Sequence, residues 1–313
     1  MNAIVLLLIA AVPFGVAANQ VDPNAAISAF EKKFGVSEGK RRNHTKGLCF
    51  VATFTATPEA AKYTVSPIFS GEPIAVVGRF SHPGGNLHSE DAKTKVLGMA
   101  LDFRYNDIHH KMAMLNVPFF SVPTPEAFVE QLTITPAERE AFKAKYPSVG
   151  QFEQALVERV AGSHDYFEQY YNSIHTFYLV NKAKEKQPVR WTFYSQTMQA
   201  LADGATLNFE QQAEQKLALG PVTMDMIVSF PHESDKLNDP TYQWVTSGER
   251  VHFGQLHITG LGADCEPVNF DPTMVSPGFE LSDDPVLRFR SPAYAISFGK
   301  RLSEAAKLTQ KRE

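Results

Sequence analysis

Arg290 and Tyr294 stand four residues apart in the run Arg290-Ser-Pro-Ala-Tyr294, and Arg301 follows in the same C-terminal segment. A free phenol titrates near ~10, so an isolated tyrosine is a poor metal ligand at neutral pH. Residues four apart on a helix share a face, and arginine keeps its charge under all ordinary conditions. A guanidinium one turn before Tyr294 would stabilise the phenolate, a hard oxygen donor suited to ferric iron. The same spacing fits a plain helix start after Pro292, with a surface Arg290 and a half-buried Tyr294. The choice between the two rests on the remainder of the chain.

Several elements must position any such site. Ala25, Ile27, Ala29, Phe30 and Phe34 set against Glu31, Lys32 and Lys33 predict an amphipathic helix over residues 24–36. Strand patterns follow at 48–55, 73–80, 98–103 and 111–115, with Tyr105 to His109 as a polar loop. The His109-His110 pair could bind a metal, but it reads more simply as solvent-exposed loop. Residues 124–170 carry helix starts at Pro125, Pro136 and Val149, and a helix is predicted over 208–217. Further strands are predicted at 175–180, 188–194, 222–230 and 252–260, and a final helix at about Ala293 to Lys311. Four strands in close succession argue for an antiparallel sheet, and eight candidates are enough to close a barrel, which makes the expected class α+β.

The first 18 residues carry no charged side chain and contain the apolar run Ile4 to Val12, followed by the small residues Val16-Ala17-Ala18. This reads as a secretory signal peptide, leaving 19–313 as one domain in the periplasm or another exported location. The apolar run is too short for the ~20 residues of a membrane span, so no stable membrane insertion is expected after processing. A formal net charge of −4 argues against nucleic acid as a partner. The chain has 2 cysteines, Cys49 and Cys265. They could pair in an oxidising compartment, but the apolar strand around Cys49 predicts a buried free thiol.

Six motifs in order resemble those of the haem catalases. Arg41-Arg-Asn-His44-Thr-Lys-Gly47 is similar to the distal-histidine motif, and Pro73 to Ser81 to the strand after it. Leu115-Asn116-Val-Pro-Phe-Phe120 resembles the distal-asparagine segment. Ser173 to Asn181 and Val268 to Gly278 match two further blocks, and Arg290 to Tyr294 resembles the proximal-ligand motif. The short length and the Arg-Ser-Pro-Ala-Tyr-Ala run look most like the small catalase-related peroxidases. The resemblance implies a closed, antiparallel, eight-stranded β-barrel with flanking helices, lacking the long N-terminal arm and the C-terminal helical domain of full-size catalases. Without those arms, a monomer or homodimer is expected.

The resemblance also implies roles. Tyr294 would hold the ferric iron of a haem, of the b type, with Arg290 keeping it ionised. Arg41, Arg79 and Arg301 would take the haem propionates, and Phe128 would pack near the ring. His44 would move the proton of a peroxide, acting first as base and then as acid, with Ser81 orienting it. His175 is expected to be structural or haem-adjacent. The distal asparagine falls on Leu115 in an ungapped match and on Asn116 with a one-residue gap. Asn43, Pro83 and Lys95 depart from the family's pattern in the direction of a more polar or more open pocket. The expected activity is peroxidase: reduction of hydrogen peroxide or organic hydroperoxides by an external electron donor. True catalase turnover and haem carriage without turnover are the alternatives.

Overall fold

The computed structural model describes residues 21–158, 165–196, 201, 207–245 and 248–311; the expected signal peptide lies outside them. Helix α1 (Pro23–Phe34) starts where Asp22 accepts from the Asn24 N–H and Pro23 opens the first turn. It buries Ala26, Ile27, Ala29 and Phe30; of the apolar face expected from the sequence, Ile27, Ala29 and Phe30 are buried, whereas Ala25 and Phe34 are exposed. Strands β1 (Gly47–Ala56), β2 (Ile74–Ser81), β3 (Gly98–Tyr105) and β4 (Ile108–Leu115) follow as an antiparallel meander. Three helices come next, α2 (Pro125–Thr133), α3 (Arg139–Lys145) and α4 (Pro147–Glu158). The chain then forms β5 (Tyr171–Asn172), β6 (Phe177–Val180), β7 (Lys186–Ser195), α5 (Phe209–Leu219), β8 (Val222–Ser229), β9 (Arg250–Leu261), β10 (Phe279–Leu281) and α6 (Pro285–Gln310).

Eight of these strands close into a ring, β1-β2-β3-β4-β5-β7-β8-β9 and back to β1, with every pairing antiparallel. They are not quite the eight that the sequence suggests. Tyr171 and Asn172 bridge β4 to β7, whereas the 175–180 run becomes β6, which pairs with the first part of β7 and carries β10 on its far edge. A two-residue bridge has no periodicity to detect, so pattern reading passes over it.

The ring is filled by aromatic side chains. Phe50, Phe54, Phe80, Phe103, Phe193 and Phe253 are fully buried, and Phe54 meets Phe103 edge-on at 5.3 Å between ring centres. Burying each such side chain contributes ~1.5–3 kcal/mol. A barrel packed this way leaves its interior unavailable to a ligand and turns the opposite side chains of each strand outward to make the site.

Three sequence expectations are corrected. His109 and His110 belong to β4, after a tight turn at Asn106 and Asp107, and not to a loop. Strand alternation sends them to opposite faces: His109 lies 2.9 Å from Asp102, while His110 is fully buried, 3.1 Å from Ser276 Oγ. The last helix begins at Pro285, because Asp284 accepts from the Val286 and Leu287 N–H groups and caps it, so Pro292 lies inside the helix. Cys49 is not a free thiol but forms a disulfide with Cys265, 216 residues away. Local pattern reports only that Cys49 is on a strand; its partner arrives with the chain that leaves β9, where the Gly262 N–H donates to the Cys49 carbonyl.

Candidate active site

The outward faces of β2, β3 and β4 align in two cross-strand rows, Arg79–Ala100–Ala113 and Ser81–Gly98–Leu115. Small residues in the middle of each row make a shallow floor, the shape that a flat ring can lie against. This floor is one wall of a cavity of about 220 Å³. Helix α6 forms the opposite wall with Arg290, Tyr294, Phe298 and Arg301, and α1 and α2 close a side with Ile27, Phe30 and Phe128. Phe128 packs against Phe30 and Phe120 at 5.6 and 5.3 Å.

His44 enters from the loop before β1 with a left-handed backbone (φ 57°), a conformation costing a non-glycine residue roughly 1 kcal/mol or more. Asn43 holds it there, its Oδ1 accepting from both the His44 and Gly84 N–H groups. Arg42 locks the loop from behind, donating to Glu31 of α1 and Glu304 of α6. The His44 Nδ1 lies 2.9 Å from Ser81 Oγ, which fixes the ring and leaves Nε2 for the cavity. Gly98 is required beneath it: a Cβ there would lie 2.9 Å from Ser81 Oγ and 3.1 Å from the imidazole. Burial, reinforced by the positive charges of Arg79 and Arg290, holds the His44 pKa down to about 3, so the ring is neutral and able to accept a proton.

At one end of the cavity, Arg41, Arg79 and Arg301 surround a single carboxylate, Glu266, with nitrogens 2.9, 3.9 and 4.0 Å from it. Arg41 Nη1, Arg79 Nε and both Nε and Nη1 of Arg301 are buried without a hydrogen-bond partner, even where Glu266 is within ion-pair distance. Burial, together with mutual repulsion, pushes Arg79 down to about 9 and Arg301 to about 10. Burial opposes the charge on Glu266, yet the surrounding guanidiniums hold its carboxyl below the usual range. Three cations facing one carboxylate, with orphaned donors, call for a further anionic group, and carboxylate oxygens suit the guanidinium fork.

Helix α6 supplies the remaining pair. The Arg290 guanidinium donates to the Tyr294 oxygen at 2.6 Å, the one-turn contact that the spacing predicts. Beside it, His175 is buried with Nδ1 2.6 Å from Asp284, the helix cap, while its Nε2 has no partner. His175 lines the same cavity as Arg290 and Tyr294. The donor set, the flat floor and the orphaned guanidiniums all fit a haem with two propionates.

The structure therefore gathers His44, Ser81, Arg41, Arg79, Phe128, Arg290, Arg301 and Tyr294 around one cavity. It does not bring Asn116 there. Asn116 is buried and turned away, its Oδ1 accepting from the Leu97 N–H and its amide donating to Gln169 and to the Lys95 carbonyl. Leu115 lines the cavity instead, because alternation along β4 points neighbours to opposite sides. Asn43 lines the cavity too, with its amide oxygen committed to backbone, while Pro83 and Lys95 are exposed and outside the lining. Sequence reading missed Gly98, Glu266 and Asp284. Asp284 followed by Pro285 was a legible helix-start signal, whereas the other two matter only through partners distant in the chain.

Comparison with known proteins agrees with this geometry. The Catalase family model matches residues 36–216. The catalase-related peroxidase of Synechococcus elongatus is 36% identical over 308 residues, covering 92% of this chain and 91% of that one. The catalase-related peroxidase of Mycolicibacterium paratuberculosis is 30% identical over 296 residues, covering 88% and 93%. A solved bacterial catalase superposes with a TM-score of 0.73 at 21% identity, over 94% of this chain and 63% of that one. Catalase A from Saccharomyces cerevisiae gives 0.71 at 20% identity, over 88% and 63%. The chain thus spans just under two thirds of those catalases. By family model, by near full-length relatives and by fold, the chain belongs to the catalase family.

Proposed function

We propose that the protein is a haem-dependent peroxidase, reducing hydrogen peroxide or organic hydroperoxides at the expense of a small external electron donor. The observation that carries this reading is the convergence of His44–Ser81 and Arg290–Tyr294 on one cavity whose three arginines share a single carboxylate, Glu266, and keep buried guanidinium nitrogens without hydrogen-bond partners. Tyr294 would hold the iron, and Arg41, Arg79 and Arg301 the propionates of a haem of the b type. Haem, once bound, supplies the redox-active iron at which the peroxide bond is cleaved. His44 does the proton work: its neutral ring accepts the proton of the near oxygen and returns it to the departing one, with Ser81 holding the angle. Leu115, where an amide donor would grip a second peroxide, offers none, and this supports peroxidase turnover over dismutation.

The disulfide supports export to an oxidising compartment such as the periplasm, in line with a signal peptide over 1–18 and a mature chain of 19–313. No helix among the described residues is long and apolar enough to cross a membrane. A monomer or homodimer remains the expected assembly. The test is oxygen evolution from hydrogen peroxide by the haem-loaded protein, with and without an oxidisable donor. Donor oxidation that tracks peroxide loss, with little oxygen, is the expected result. Rapid oxygen release without donor would make the protein a small catalase, and inactivity in both assays would make it a haem carrier.

A further inference from the structure

The segment between β9 and β10, residues 262–278, contains no helix or strand, yet it carries the groups that orient the arginine cluster. The Arg41 guanidinium donates to the Cys265 and Val268 carbonyls at 2.8 and 3.1 Å, and Arg301 donates to Val268 at 3.3 Å. Glu266 lies between those two acceptors and faces all three arginines. The remaining guanidinium, that of Arg79, is held from the other side, by the His44 and Thr45 carbonyls. It passes over Gly47 at the start of β1, where a Cβ would lie 2.5 Å from its central carbon.

The Cys49–Cys265 disulfide joins these two supports, running from β1, two residues past Gly47, to the residue whose carbonyl holds Arg41 and whose neighbour is Glu266. Cys265 is fully buried at the centre of a small apolar cluster with Val268 and Phe270. We propose that this disulfide is a positioning element for the cofactor: it sets the irregular segment against β1 so that Arg41, Arg79 and Arg301 are aimed together at the carboxylates of the haem. The inference rests on the haem reading above. Cys49, Cys265 and Glu266 also make a compact group of metal-ligand type, but oxidised sulfurs offer no thiolate to a metal.

A disulfide can also act only by restricting the unfolded chain, and that role would be indifferent to what the cavity holds. The two roles separate on ligand charge. Loss of haem to an excess of apo-acceptor is measured for the wild-type protein and for Cys49→Ala/Cys265→Ala, loaded either with haem or with its dimethyl ester, which lacks the two carboxylates. The double variant is expected to release haem about 10- to 100-fold faster than wild type, and to release the ester at the wild-type rate. Equal acceleration for both ligands, or none for either, would overturn the proposal. If the double variant does not fold, Cys49→Ser/Cys265→Ser, closer in size to the native pair, gives the same comparison. Failure of the wild-type protein to take up either ligand would overturn the haem reading itself, and this inference with it.

Discussion

The two walls of the cavity are built on different principles. On the α6 side, Arg290 and Tyr294 belong to one helix and meet because a turn of helix brings residues four apart together. On the barrel side, His44 comes from a loop, Ser81 from β2, Gly98 from β3 and Leu115 from β4, and their meeting depends on strand register. A one-residue change there exchanges inside for outside. This is the difference between Leu115 in the cavity and Asn116 out of it. A local motif tolerates change elsewhere in the molecule; a register-dependent one can lose a donor while the fold stays intact.

Substitutions can break or sharpen this contrast. The largest effect is expected on the barrel side, where His44→Ala should cut the rate of reaction with peroxide by about 10²- to 10⁴-fold while haem stays bound. Stopped-flow mixing with peroxide measures this, and an undiminished rate would remove His44 from the mechanism. On the α6 side, Tyr294→Phe should abolish the phenolate features of the absorption spectrum. An unchanged spectrum would show that another residue ligates the iron.

The Leu115 and Asn116 pair tests the register argument directly. Leu115→Asn puts an amide into the cavity and should raise donor-free oxygen release by up to about tenfold, the worth of one net hydrogen bond. Asn116→Ala should leave peroxide reactivity near wild type but destabilise the fold by about 2 kcal/mol, since it orphans the buried Leu97 N–H. Chemical denaturation and turnover assays on the same samples separate the two outcomes. A large loss of activity with normal stability in Asn116→Ala would return that residue to the mechanism.

A last effect, on pH dependence and not on chemistry, concerns a histidine outside the cavity lining. Burial holds the His110 pKa down to about 3, against 6.5 for an exposed ring. The folded state thus resists protonation that the unfolded chain accepts. Its contribution to stability is complete above about pH 6.5 and is lost progressively as pH falls towards 3, at up to about 1.4 kcal/mol per pH unit. His110→Gln should flatten part of this slope in denaturation curves taken between pH 7 and 4. His44 and His82, held down to about 3 and about 4, should maintain the remainder. An unaltered slope would mean that His110 titrates normally in the folded protein.

By itself, the sequence determined what is carried by local spacing and by residue type. The Arg290–Tyr294 contact follows from helix pitch, α1 from its apolar face, and the meander β1 to β4 from four alternating strand patterns in succession. The Arg41, Arg79 and Arg301 cluster was legible only through family resemblance, because nothing local links three arginines spread over the whole chain. Tertiary structure alone decided four things: that Cys49 pairs with Cys265, that Glu266 lies among the arginines, that β5 and not β6 closes the barrel, and that Leu115 takes the cavity position. Each is a meeting of segments remote in sequence, or a choice between the two faces of one strand. Register and closure settle both, and they are properties of the whole ring of strands, so no window of neighbouring residues contains them.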